Sequence, residues 1–289
     1  MAEPYLAKPG AAIDILRKHH IYTQKKYGQN FLIDAHVPEK IVEAAGICAD
    51  DFCIEIGPGI GTLTQYLARK AGRVAAVEVD TGLLPVLSET LAEYDNVCVI
   101  SADVLKVDLG ELIEQQAEGR RVKVVANLPY YITTPILMAM LEADLPVYSY
   151  TLMVQREVAD RMQASPGTKE YGALTLAVQY RTEPRTVMQV SPGCFLPPPK
   201  VGSTVIHLKS RPDRLPKEEE TFLFRMIRAA FSQRRKTLYN SLGNLKDLSV
   251  SKEAAAQALA DCGLRRDIRG EALSLEQFIE LGKRLSVQP

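Results

Sequence analysis

Between about Ile41 and Ile206 the chain alternates short apolar, β-branched runs with stretches of helical periodicity. Such runs, bounded by Gly, Asn or Asp, read as buried strands, and the 3.6-residue stripes between them read as amphipathic helices. The alternation predicts an α/β fold with a mostly parallel sheet. Strands are expected at Phe52–Ile56, Arg73–Val79, Val97–Ile100, Arg121–Ala126 and Tyr150–Val154, with helices at Thr62–Lys70 and Leu83–Glu93. Two later runs, Arg185–Val190 and Ser203–Leu208, fit an antiparallel hairpin at the sheet edge.

Around Lys209–Glu220 the pattern breaks into Arg211-Pro212-Asp213-Arg214-Leu215-Pro216-Lys217, a linker signature. Beyond it only helical patterns remain, at Thr221–Ser232, Arg235–Leu242, Lys252–Cys262 and Ser274–Leu285. Ser274 with Gln277 three residues later fits a capping box at the start of the last helix. The expected organisation is an α/β domain over residues 1–212 and a small all-helical domain over residues 213–289.

Composition narrows the class. Hydrophobic residues make up 46% and charged residues 24% of 289, ordinary for a globular protein. No apolar run approaches the ~18–20 residues that span a bilayer, and the first twenty residues lack a signal-peptide core. A cytoplasmic protein with no membrane partner is expected, with a monomer as the default. The five cysteines form no C-x-x-C pair and read as reduced thiols. The four histidines have no ligand spacing, so no metal is expected.

Formal net charge is zero, but it is unevenly spread. Lys and Arg number five against three acids over residues 1–34, 13 against 21 over residues 35–199, and 17 against 11 over residues 200–289. A basic C-terminal region can offer a local surface to a phosphate backbone.

The candidate chemistry sits at strand ends. Glu55-Ile56-Gly57-Pro58-Gly59-Ile60-Gly61 joins a strand to a helix, and its glycines let the backbone turn and approach a ligand closely. The spacing is G-x-G-x-G, whereas a dinucleotide fingerprint is G-x-G-x-x-G aimed at pyrophosphate. A nicotinamide oxidoreductase is disfavoured by that spacing and by the lack of a catalytic His, Cys or Tyr-Lys set. Glu78 closes the second strand, where a carboxylate suits two ribose hydroxyls. Asp103 closes the third and can accept an exocyclic amine; it also fits a plain strand-end turn or helix cap. Together they favour a nucleoside-containing cofactor without phosphate, such as S-adenosylmethionine.

Asn127-Leu128-Pro129-Tyr130 closes the fourth strand. The adenine N6 lone pair is delocalised into the ring, so this amine is a poor nucleophile. An Asn side-chain oxygen and a backbone carbonyl accepting its two hydrogens localise the lone pair toward a methyl sulfonium. Pro129 fixes the turn that presents the Leu128 carbonyl, and Tyr130 can stack on the base. A base extruded from its stack needs a second aromatic face. Phe195, in Phe195-Leu196-Pro197-Pro198-Pro199-Lys200-Val201, is the candidate, with a core position as its plainer reading.

Tyr27-Gly28-Gln29-Asn30-Phe31-Leu32, the Glu55–Gly61 loop, Asn127–Tyr130, Phe195-x-Pro197-x-Pro199-x-Val201, Phe231-Ser232-Gln233-Arg234-Arg235-Lys236-Thr237 and Arg269-Gly270-Glu271 occur in that order. Together they resemble the ribosomal RNA adenine N6-dimethyltransferase family, on its bacterial small-subunit branch, over nearly the whole chain. The resemblance implies a Rossmann-like S-adenosylmethionine-dependent methyltransferase domain with a mostly parallel seven-stranded sheet. It also implies dimethylation of two adjacent adenosines in the 3′-terminal hairpin of 16S rRNA, on a nearly assembled small ribosomal subunit. The family's cofactor positions fall on Asn30, Leu32, Gly57, Glu78, Asp103 and Asn127, with Gln29, Gly59 and Gly61 beside them. Asn127, Leu128, Pro129, Tyr130 and Phe195 carry over to the target adenine. Without the resemblance, Gln29–Leu32 reads as a turn before a helix; as a flap over the cofactor it rests on the resemblance alone. Arg234-Arg235-Lys236, expected on a helix, then becomes a candidate RNA contact rather than a solvated face. Two alternatives stay open: a large-subunit rRNA adenine methyltransferase conferring macrolide resistance, and an assembly factor whose methylation is incidental.

Overall fold

The protein was analysed as a computed structural model, which describes residues 5–21, 28–242 and 250–286. Helix α1 (Pro9–Lys18), the short strand β1 (Phe31–Leu32) and α2 (His36–Ala45) lead into alternating elements. These are β2 (Asp51–Ile56), α3 (Thr62–Ala68), β3 (Arg73–Glu78), α4 (Leu84–Thr90), β4 (Val97–Ser101), α5 (Leu109–Gln116), β5 (Arg121–Asn127), α6 (Thr133–Glu142) and β6 (Val147–Gln155). Helices α7 (Arg156–Met162) and α8 (Ala173–Arg181) precede β7 (Thr182–Val190), β8 (Phe195–Leu196) and β9 (Ser203–Ser210). The chain then continues through α9 (Lys217–Ser232), α10 (Leu238–Leu242), α11 (Lys252–Asp261) and α12 (Leu275–Ser286).

The seven-stranded sheet runs β4-β3-β2-β5-β6-β9-β7. Strands β4 to β6 pair in parallel and β9 is antiparallel to β6. As the late apolar runs suggested, β7 and β9 are neighbours, with β7 at the edge. Strand order reverses between β2 and β5, so their carboxyl ends frame a crevice where open α/β sheets bind ligands. Strand β2 is buried along its whole length, which is why its run is apolar on both faces. Helix α2 lays Val37, Ile41, Val42 and Ala45 against Cys53, Val125, Met153 and Val205. Each fully buried Val, Ile or Met among them contributes about 1.5–3 kcal/mol. Helix α1 packs Ala12, Ile15 and Leu16 against Phe31, Ile60 and Leu83, directly behind the crevice.

At the amino ends of β2 and β5 the buried Asp51 carboxylate accepts from Arg121 Nε and Lys123 Nζ, both at 2.8 Å. Burial alone raises its pKa, but Lys123, Arg121 and the Cys48 N–H outweigh it and hold Asp51 below the usual carboxylate range. The pairing fastens β2 to β5, the two strands whose far ends build the crevice.

Two compact units emerge, and they correct the expected boundary. The first runs through Ala159 and adds Pro184–Ser210; the second combines Asp160–Glu183 with the helical residues from Arg211 onward. Residues 160–183 join the helices because their contacts are there. Arg181 forms a buried ion pair with Glu220, Tyr180 packs edge-on to Phe224, and the Tyr171 hydroxyl donates to Leu273 O at 2.7 Å. The capping box is as expected, with Ser274 N–H on Gln277 Oε1 at 2.9 Å and Gln277 N–H on Ser274 Oγ at 3.3 Å. The Arg234-Arg235-Lys236 run is not helical: it lies in the turn after α9, closed by Lys236 N–H on Gln233 O at 2.8 Å.

Candidate active site

A cavity of about 300 Å³ opens at the carboxyl ends of β2, β3, β4 and β5. That volume is at the lower end for small-molecule sites. Each strand delivers one part of its wall. The loop after β2 supplies Gly57 and Gly59, β3 ends on Glu78 and Val79, the turn after β4 supplies Asp103 and Val104, and Asn127 through Ile132 follow β5.

Gly57 has φ +69° and open space where a Cβ would stand, so a ligand can approach its backbone. Glu78 is buried, and its two oxygens accept the N–H groups of Gly59 at 3.2 Å and Asp80 at 2.8 Å. Burial raises its pKa against the pull of those two bonds. A carboxylate oxygen accepts more than one hydrogen bond, so the pair can still take ribose hydroxyls. Gly61 departs from expectation. It does not line the cavity, and a Cβ there would meet Thr90 Oγ1 at 3.0 Å and Leu91 Cδ2 at 3.2 Å. Its missing side chain serves the packing of α3 on α4.

The Gln29–Leu32 segment is not the turn its residues suggest. Phe31 and Leu32 pair with Leu196 and Phe195 as a two-stranded antiparallel ladder. Gln29 Nε2 donates to Asp80 Oδ2 at 2.7 Å, and Asn30 Nδ2 donates to Gly28 O at 3.0 Å. Gln29, Asn30 and Leu32 all line the cavity, whereas Tyr27 lies outside the described residues. Asp103 Oδ1 accepts the Leu105 N–H at 3.1 Å, its strand-end turn reading, and the residue also borders the cavity.

After β5 the Leu128 N–H donates to Met153 O at 3.1 Å, which holds the turn to β6. The Pro129 carbonyl accepts from Ile132 N–H at 3.2 Å and Thr133 Oγ1 at 3.0 Å, opening α6. Tyr130 is half-buried; its hydroxyl lies 2.6 Å from Ser203 Oγ, and burial raises its pKa. Asn127 Nδ2 donates to Asn30 O at 3.4 Å. Phe195 is 2% exposed among Leu32, Met153 and Val205, yet it also borders the cavity, so core and wall are one role.

Glu55, Val79 and Val104 are among the lining residues not singled out from sequence. Glu55 is fully buried, its Oε2 lacks a hydrogen-bond partner, and burial pushes its carboxyl up to about 8, the Glu78 charge adding to the rise and Thr64 opposing it. Val79 and Val104 flank the space one position after Glu78 and Asp103, a spacing that would have marked them as apolar walls for a flat ring.

Among the described residues the lining holds Glu55, Glu78 and Asp103 and no Lys, Arg or His. Such a wall opposes a pyrophosphate and suits a ligand bearing a sulfonium and an ammonium. Apolar residues and strand-end carboxylates line one cavity, a donor set that fits S-adenosylmethionine. The sequence profile of the ribosomal RNA adenine dimethylases matches residues 22–286. The chain belongs to the ribosomal RNA adenine dimethylase family. It is 53% identical to the ribosomal RNA small subunit methyltransferase A of Lachnoclostridium phytofermentans, over 96% of both chains. Identity with the Bacillus mycoides protein of the same name is 50% over 97% of both. Among solved structures, the 23S rRNA methyltransferase ErmE superposes with a TM-score of 0.67 at 28% identity, covering 89% of this chain and all of that one. A Plasmodium falciparum dimethyladenosine transferase shares the fold at a TM-score of 0.74 and 24% identity, over 87% of this chain and 95% of its own. The α/β unit is thus the Rossmann-like methyltransferase fold of this family.

In the helical unit, Arg234 donates to Lys169 O at 3.0 Å and Tyr171 O at 3.1 Å and lies 3.4 Å from Glu271. Arg235 and Lys236 are exposed.

Proposed function

We propose that this dimethylase uses S-adenosylmethionine to convert two adjacent adenosines in the 3′-terminal hairpin of 16S rRNA to N6,N6-dimethyladenosine. Its substrate is the small (30S) ribosomal subunit late in assembly, in the cytoplasm, and the enzyme acts as a monomer. The cavity wall at the Asn127-Leu128-Pro129-Tyr130 turn, acidic and without cations among the described residues, carries the chemical reading. Identity near 50% with small-subunit methyltransferases, against 28% with a 23S enzyme, favours the small subunit over the large.

When bound, the cofactor supplies an electrophilic methyl on a sulfonium. Glu78 would hold its ribose, Asp103 the adenine amine, Val79 and Val104 the ring faces, and Gly57 with Asn30 the amino-acid end. Asn127 Oδ1 and the Leu128 carbonyl accept the two N6 hydrogens, concentrating the lone pair for in-line transfer. Tyr130 and Phe195 face the base. Rate enhancement comes from position and electrostatics, with no covalent enzyme intermediate and no metal in the scheme. In the helical unit, Arg235 and Lys236 face the phosphate backbone. The test is incubation of small subunits from cells lacking the activity, with mass-spectrometric mapping of the product. Dimethylation at two adjacent adenines near the 16S 3′ end is expected; modification of large-subunit RNA alone would overturn the reading.

A further inference from the structure

Tyr131 directly follows the catalytic turn, and at 57% it is the most exposed large hydrophobic side chain among the described residues. Isolated exposed aromatics are ordinary on protein surfaces. This one borders the cavity, immediately after the half-buried Tyr130. Its backbone is fixed because Pro129 O accepts from both Ile132 N–H and Thr133 Oγ1. One side of the ring rests on the flap: a Cβ on Gly28 would lie 3.3 Å from Tyr131 Cδ1. The turn therefore carries two successive tyrosines, one inside the cavity and one at its mouth.

The substrate chemistry supplies a use for the second ring. Extruding one of two adjacent adenosines breaks the stack between them and leaves the neighbour's face bare. An aromatic at the mouth replaces that lost face, and base–aromatic stacking tolerates any base. We propose that Tyr131 stacks on the nucleotide next to the adenosine in the cavity and governs how efficiently the pair is modified. This role rests on the small-subunit reading above. Stacking requires the ring and not the hydroxyl, so Tyr131→Phe separates it from a hydrogen-bonding role.

The experiment compares wild type, Tyr131→Ala and Tyr131→Phe on small subunits from cells lacking the activity. It reads KM for subunits, kcat, cofactor affinity by calorimetry and the distribution of methyl groups between the two adenines. Tyr131→Ala raises KM on the order of tenfold and skews methylation toward one adenine, while Tyr131→Phe stays within about twofold of wild type. Cofactor affinity is unchanged in both. Wild-type KM and product distribution in Tyr131→Ala overturn the proposal. So does a loss of cofactor affinity equal to the loss for subunits, which would make the ring only a support for the flap at Gly28. A wild-type enzyme inert on small subunits removes the functional reading itself, an outcome distinct from both.

Discussion

Asn127 Nδ2 donates to the main-chain carbonyl of Asn30 at 3.4 Å, joining the catalytic turn to the cofactor flap. An Asn carboxamide has one acceptor and one donor end. With the donor end held by Asn30, the acceptor end is committed to the other side, where the proposed mechanism needs it to receive an adenine N6–H. In the proposed mechanism the 29–32 segment therefore does more than cover a cofactor: its backbone sets the polarity of the Asn127 amide.

Asn127→Asp tests that polarity. The substitution keeps acceptor oxygens but sets one against the Asn30 carbonyl with no hydrogen to donate. Expected is a fall in single-turnover methylation of at least roughly 100-fold, the scale of losing one preorganised transition-state contact. The melting temperature should move by only a few degrees. Activity near wild type would show that the Asn30 contact does not orient this group.

Glu78 has a structural job in the Gly59 and Asp80 bonds and, in the proposed function, a ligand job, which Glu78→Ala tests. Glu78→Ala strips acceptors from the Gly59 and Asp80 N–H groups, at a cost of about 1–3 kcal/mol if they stay dry. Calorimetry should show cofactor affinity down at least about tenfold, as for a lost charge-assisted hydrogen bond. Binding to small subunits should be nearly unchanged. Equal loss of both would argue against a ribose-holding role.

The buried Glu55 makes stability depend on pH in a definite direction. Its carboxyl titrates near 8 in the folded chain, against 4.5 as its ordinary value. Between those limits the native state retains a proton that the unfolded chain has released, so this group's contribution falls as pH rises from about 4.5 to 8 and is flat above. Glu55→Gln removes that slope. Its melting temperature relative to wild type should therefore improve steadily from pH 5 to pH 8. A constant difference across the range would mean that Glu55 is already ionised at pH 5. A sulfonium beside the wall favours the ionised form, so wild-type cofactor affinity should rise over the same range.

Much of this was legible in sequence because the cofactor wall is local. One acid, amide or glycine per strand end, read with strand periodicity, located Gly57, Glu78, Asp103 and Asn127, and all four border the cavity. What escaped was non-local. Phe31–Leu32 becomes a strand only because Phe195–Leu196 pairs with it, more than 160 residues on. Residues 160–183 belong with the helices through the partners of Tyr171, Tyr180 and Arg181, which no periodicity announces. Gly61 looked like its two neighbours in the loop, but its requirement comes from a φ of +91° and from Thr90 at the end of α4 and Leu91 just after it.

The basic run after α9 divides into two roles that a salt titration can tell apart. Arg234 is committed to the Lys169 and Tyr171 carbonyls, tying residues 169–171 to the end of α9 within the helical unit. Arg235 and Lys236 are exposed on the same turn. A cation on a phosphate releases about 0.7–0.9 counterion, so replacing Arg235 and Lys236 together with Ala should flatten the slope of log K against log salt by roughly 1.4–1.8. The melting temperature should stay within a degree or two of wild type, since surface changes typically cost under about 0.5 kcal/mol. Arg234→Ala should do the reverse, lowering the melting temperature more than the double variant through the lost bonds to Lys169 O and Tyr171 O while the salt slope holds. A slope unchanged in the double variant would make Arg235 and Lys236 a solvated turn and move the RNA contacts elsewhere on the chain.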